Sequence, residues 1–163
     1  MTTDKHNPLQ IPEPMRLALD LAAKAAIAGE VPVGAVVTRN GNVVATASNA
    51  MRGGSDPTAH AEIVAIRAAA AILGNQRLTD CDLWVTLEPC AMCAGAISHA
   101  RIGKLYYGAS DPKGGGVEHG ARVFGHDTCH HRPELYTGIG EREAAAQLMA
   151  FFAERRQGRA QNL

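Results

Sequence analysis

Two short segments, His60-Ala61-Glu62 and Pro89-Cys90-Ala91-Met92-Cys93, stand about thirty positions apart and constrain the fold most, because their donor atoms make chemical sense only if they meet. One imidazole and two thiols suit a zinc-type ion, and the carboxylate of Glu62 is surplus to that need. Any fold for this chain must therefore carry two distant helix starts to one point. Structural zinc sites close their tetrahedron with a fourth protein ligand, whereas catalytic sites keep one corner for water. Three donors beside an acid read as the second kind.

The local spacings agree. Cys90 and Cys93 are three apart, so at a helix start their sulfurs share a face. Pro89 suits a position at or just before that start, where unpaired amides favour thiolate over thiol. Upstream, Ser55-Asp56-Pro57-Thr58 offers capping residues ahead of a strong helix former, which predicts a helix over 58–73 with His60 and Glu62 in its first turn. From average residue usage, H-x-E followed within about sixty residues by P-C-x-x-C arises by accident in on the order of one in ten thousand chains of this length. Two alternatives remain on the residues alone: a thioredoxin-like dithiol, or a closed structural site whose fourth ligand is Cys81, Cys129, His130 or His131. Neither explains Glu62 or the proline before Cys90.

With 163 residues, 46% of them hydrophobic, the chain can bury one sizeable core and is expected to form a single domain over 1–163. Residues 1–12 read as a loose arm and 158–163 as a flexible tail. Helical periodicity predicts a first helix at about 14–29. Strand-like runs at 33–38 and 43–47 flank Asn40-Gly41, a strong hairpin signal. Gly74-Asn75-Gln76 stops the second helix, and 83–87 reads as a short central strand. A cysteine helix at about 91–100, a strand at 104–107, a short strand near Glu134-Leu135-Tyr136 and a last helix at about 140–157 follow. That order predicts a mixed sheet with helices on both faces, and ligands at one sheet edge. Between Ser110 and His130 no period is visible, and Gly114-Gly115-Gly116 reads as a flexible turn in preference to a phosphate-cradling loop.

Charge narrows the partners. Sixteen basic and sixteen acidic residues cancel, so any nucleic-acid contact must be local. Cys81 and Cys129 read as free thiols, suited to a reducing cytosol. No apolar stretch reaches membrane-spanning length, and a cytoplasmic protein is expected.

The runs Asp56 to Ile63 and Val85 to Ala96 resemble the zinc-dependent cytidine deaminase superfamily, and within it the bacterial tRNA adenosine deaminases. The resemblance extends from about Pro14 to Arg156 and takes in Glu30 to Val36, Tyr107 to Lys113, and Phe151-Phe152 with Arg155-Arg156. It implies a three-layer α/β/α cytidine deaminase-like fold with a central mixed sheet of about five strands. It also implies one Zn2+ per subunit on His60, Cys90 and Cys93, with Glu62 moving protons while a zinc-activated water attacks C6 of adenine. Substrate contacts are implied at Asn49, whose amide can both donate and accept, at Val33 as an apolar wall, and at Ala61, Asp111, Lys113, Phe152, Arg155 and Arg156. The implied partners are a tRNA anticodon stem-loop, in which a wobble adenosine is already unstacked, and a second copy of the chain.

Three readings stay open on the residues. Guanine deaminases, and free nucleoside or cytosine deaminases, are two of them, which share the motif but need a small closed pocket and no basic rim. A structural zinc module would be indifferent to Glu62. Of His130 and His131, adjacent side chains that rarely point to one place, one is expected to be structural and the other exposed. The run Val117 to Phe124 departs from the better-known family pattern.

Overall fold

The computed structural model of the chain describes residues 10–161. Five strands form one sheet in the order β2-β1-β3-β4-β5, with β1 (Gly34–Arg39), β2 (Asn42–Ser48), β3 (Cys81–Leu87), β4 (Lys104–Ala109) and β5 (Glu134–Tyr136). β1 runs antiparallel to both β2 and β3, while β3, β4 and β5 are mutually parallel. The hairpin between β1 and β2 turns at Asn40 and Gly41, whose φ values of 51° and 78° are the pair of positive angles that a tight right-twisting hairpin requires.

Alternation along the central strands divides the core. Val33, Ala35 and Val37, with Leu83, Val85, Leu105 and Tyr107, pack against α2 (Ala61–Leu73) and α3 (Ala91–Ala100). Val36, Trp84 and Tyr106 face the other way, toward α1 (Glu13–Ile27) and α4 (Glu141–Ala160). Period-two placement thus yields the three layers. On the α1/α4 face Trp84 stacks on Tyr106 at 3.7 Å between centroids, and Tyr106 on Tyr136 at 4.6 Å. The indole N–H donates to Thr38 Oγ1 across 3.0 Å, so this buried polar group is satisfied.

Register places the candidate residues on one edge. Gly34 pairs with Ser48, Ala35 with Val85, and Leu87 with Ala109. The start of β1 and the ends of β2, β3 and β4 therefore lie side by side, with Val33, Asn49, Cys90 and Asp111 just beyond them. Such an edge is where open α/β sheets place their ligands.

Two expectations need correction. The second helix starts at Ala61, not 58, because Asp56 uses its Oδ1 locally: it accepts from the Thr58 amide at 2.8 Å and the Thr58 hydroxyl at 2.7 Å. Such Asx turns compete with helix formation, so His60 becomes the N-cap and only Glu62 lies inside the first turn. The supposed tail at 158–163 is helical through Ala160. Of the supposed arm, residues 1–9 lie outside the described residues, as do 162 and 163 at the other end.

Gly34 permits α1 to lie on β1: a Cβ there would stand 1.9 Å from the Ala18 carbonyl oxygen and 2.9 Å from its carbon. Gly34→Ala is expected to cost about 3 kcal/mol, the upper range for forcing a carbon into a packed core. The thermal midpoint should fall by roughly 6–12 °C in a melt followed by circular dichroism.

Candidate metal and active site

His60 and Cys90 occupy equivalent places, each the extended N-cap residue of a helix that starts at the sheet edge. Cys93, one turn into α3, lies on the same side as Cys90, as the three-residue spacing requires. His60 Nδ1 is 3.6 Å from Cys90 Sγ and 3.5 Å from Cys93 Sγ. A tetrahedral zinc with ordinary Zn–N and Zn–S bonds separates N and S by about 3.6 Å, so the donor set fits that ion in both chemistry and spacing. Among the described residues no fourth His, Cys, Asp or Glu completes the cluster.

The residues weighed as a fourth ligand are engaged elsewhere. Cys81 is buried, its thiol 3.9 Å from Asp80 Oδ1. Cys129 Sγ lies 3.5 Å from Ser98 Oγ and donates to the His131 carbonyl at 3.2 Å. His131 meets the Ile102 carbonyl through Nε2 at 2.6 Å, while His130 is exposed. The division of the two histidines into one structural and one exposed is what the structure shows.

Protons sit unevenly in the set. The Cys90 sulfur, with Cys93 as hydrogen-bond donor and the amides of Cys93 and Met92 in front of it, is pulled down to about 5 despite partial burial. Cys93 is pushed far up by that same hydrogen bond and by burial. A divalent cation held by both sulfurs displaces their protons. Burial pushes the Glu62 carboxyl up to about 7. A carboxyl so placed passes readily between its protonated and ionised forms near neutral pH, as a proton carrier must.

Asn49 is buried and its Oδ1 accepts from the Ala61 amide at 2.9 Å. One lone pair of that oxygen is thus committed to the start of α2, while the side-chain NH2 remains a donor. The Val33 carbonyl accepts from the Asn49 amide at 3.1 Å, which joins these two positions across the sheet edge. Ala61 is fully buried directly after the metal histidine.

An open groove of about 820 Å³ is lined by Leu87, Asp111, Lys113, Phe152, Arg156 and Arg159 among others. None of His60, Glu62, Cys90 and Cys93 lines it. Phe152 is 44% exposed while its neighbour Phe151 is buried, so the apolar stripe of α4 uses the latter for the core. Arg155 reaches the groove, but its Nη2 donates to the Gly29 carbonyl at 2.6 Å and its guanidinium lies 4.6 Å from the Phe151 ring. It clasps α4 to the end of α1.

The sequence reading missed Glu88. A charged side chain between an apolar strand and a proline was the available signal: Glu88 is buried and accepts from the amides of Asp111, Val117, Glu118 and His119. Burial works against its charge, but those amides, with the His119 side chain, hold its carboxyl below the usual carboxylate range. Gly114 closes a turn, as expected, while Gly115 and Gly116 bring the loop against the Glu88 carboxyl and the start of α3.

Residues 10–109 match the cytidine and deoxycytidylate deaminase zinc-binding region. The tRNA-specific adenosine deaminase of Agrobacterium fabrum is 55% identical over 142 residues, covering 87% of this chain and 93% of that protein. Its namesake in Bacillus subtilis is 42% identical over 142 residues, covering 87% and 88%. A solved structure from a study of A-to-I editing by tRNA:A34 deaminases superposes with a TM-score of 0.82 at 55% identity, covering 83% of this chain and 98% of that one. A guanine deaminase from Nitrosomonas europaea superposes at 0.71 with 26% identity, covering 86% and 83%. A three-donor zinc set with a buried glutamate at the edge of a five-stranded mixed sheet, and a family match over most of that sheet, lead to one conclusion: the chain belongs to the cytidine and deoxycytidylate deaminase family.

Proposed function

We propose that this protein is a hydrolytic deaminase that converts adenosine to inosine at the wobble position of a tRNA anticodon. The observation that carries the chemistry is the His60, Cys90, Cys93 set, with the buried Glu62 two residues beyond the histidine. Zinc bound there supplies the Lewis acidity that lowers the pKa of a water. Glu62 takes one proton from the attacking water and passes it to N1, then takes the second from the new C6 hydroxyl and passes it to the departing amine, the general acid–base role this glutamate has throughout zinc deaminases of this signature. Asn49 holds the base through its side-chain amide, and Val33 supplies an apolar wall.

The substrate reading is supported by the 55% identity to a tRNA-specific adenosine deaminase and by the groove's character. A free base needs a small closed pocket, whereas this groove is open and carries Lys113, Arg156 and Arg159 beside the exposed ring of Phe152. Cations for phosphates next to an aromatic face for a base are what single-stranded RNA requires. Asp111 lies at the same rim and suits a ribose hydroxyl. We further infer a homodimer acting in the cytoplasm. No helix among the described residues is long and apolar enough to cross a membrane.

Glu62→Ala should keep its zinc yet lose at least about a thousandfold in turnover, within the range of general acid–base catalysis. Cys93→Ser should lose the metal itself. Metal analysis of the purified variants, alongside ammonia release, separates the two. The substrate is tested by offering the zinc-loaded protein an arginine-tRNA anticodon stem-loop with wobble adenosine, guanine, cytosine and free adenosine separately. Inosine from the stem-loop alone is expected, and turnover of guanine alone overturns the reading. Arg156→Ala should weaken stem-loop binding and flatten the slope of log affinity against log salt by about 0.7, measured by fluorescence anisotropy.

A further inference from the structure

One carboxylate that belongs to neither the metal set nor the groove joins the two. Glu88 comes between the end of β3 and Pro89, with its side chain 0% exposed. Its Oε1 accepts from the amides of Val117 at 3.3 Å, Glu118 at 2.9 Å and His119 at 2.9 Å. Its Oε2 accepts from the Asp111 amide at 2.8 Å and faces His119 Nδ1 at the same distance. Four backbone donors on one buried anion form a closed nest, a strong and directional arrangement.

The loop so gathered lies directly on the start of α3. The Gly116 amide donates to the Pro89 carbonyl at 2.8 Å. A Cβ at Gly116 would stand 2.4 Å from the Ala91 nitrogen and 2.7 Å from the Cys90 carbonyl carbon, and one at Gly115 2.5 Å from the Glu88 carboxyl carbon. These two glycines are needed for approach. Tyr107 adds a second tie through its hydroxyl to the Glu118 carboxylate. At the loop's other end Asp111 Oδ1 accepts from the amides of Lys113 at 3.2 Å and Gly114 at 2.9 Å, which shapes the groove rim.

We propose that Glu88 is a positioning residue for deamination. It fixes the wall from Asp111 to His119 at a set height over Cys90 and Cys93, so that a strand held in the groove presents its base to the metal. This rests on the groove being the substrate's seat. Glu88 touches neither ion nor substrate, and its loss should move binding and leave the chemical step.

Glu88→Gln tests this with almost no change of shape. Whichever oxygen becomes NH2, a donor then faces backbone N–H groups, so no side-chain flip rescues the nest. Gly115→Ala tests it from the other side, by forcing the loop and the Glu88 carboxylate apart while the charge is kept. Both variants are assayed for zinc content, for amide hydrogen exchange at 111 and 117–119, and for KM and kcat on whichever substrate the wild type turns over. Zinc content equal to wild type, faster exchange, a KM raised about tenfold and a kcat within about threefold are expected. Loss of zinc, or a fall in kcat at unchanged KM, overturns the proposal and makes Glu88 a support of the metal ligands. Should Glu88→Gln aggregate, Gly115→Ala decides by the same criteria. Failure of the stem-loop reading would show in the wild type alone, whereas an unchanged KM in the variants sinks the positioning role.

Discussion

Two helix N-termini converge at one edge of the sheet, and the site depends on that convergence. His60 and Cys90 are both N-cap residues, extended in backbone and placed where the first amides of α2 and α3 point outward. Those amides favour negative charge, and two thiolates are the negative charge a zinc set brings. The sheet makes the meeting possible: β1 separates β2 from β3, so the chain leaving β2 enters α2 and the chain leaving β3 enters α3 at the same edge. Most of the catalytic geometry follows from strand order.

Three glutamates are buried near that edge, and each meets the cost of burial differently. Glu88 collects four backbone amides and stays ionised below the usual range. Glu30 Oε1 accepts from the amides of Arg52 and Gly53 at 2.8 and 2.9 Å, while its Oε2 has no partner among the described residues. Glu62 lacks such a nest, and its carboxyl rises to about 7. A carboxylate fully paired with amides can only hold things in place, whereas one left short of donors can exchange protons. The same residue type is thus suited to scaffolding in one setting and to proton exchange in another.

The motif residues and the layer order were legible in the sequence because they rest on local rules. The Asn40-Gly41 turn, the three-residue spacing of Cys90 and Cys93, and the helical period of α1 and α4 each express themselves within about ten residues. The start of α2 was misplaced because Asp56 had two local uses and the sequence does not rank them. Glu88 was missed for a different reason: its partners lie 23 to 31 positions away, in a stretch with no period. Nor could spacing show that Arg155 is committed to Gly29, a contact 126 positions long. Pairings made across such distances are visible only once the chain has closed on itself.

The aromatic stack on the α1/α4 face has a practical corollary. The chain has a single tryptophan, and that indole lies flat on Tyr106 on the side of the sheet away from α2 and α3. Its emission is therefore a built-in optical gauge of one layer, with a tyrosine as close neighbour to quench or feed it. Denaturation followed at that wavelength watches the far side of the molecule come apart, and a second probe near the sulfurs is needed to learn whether the two halves let go together.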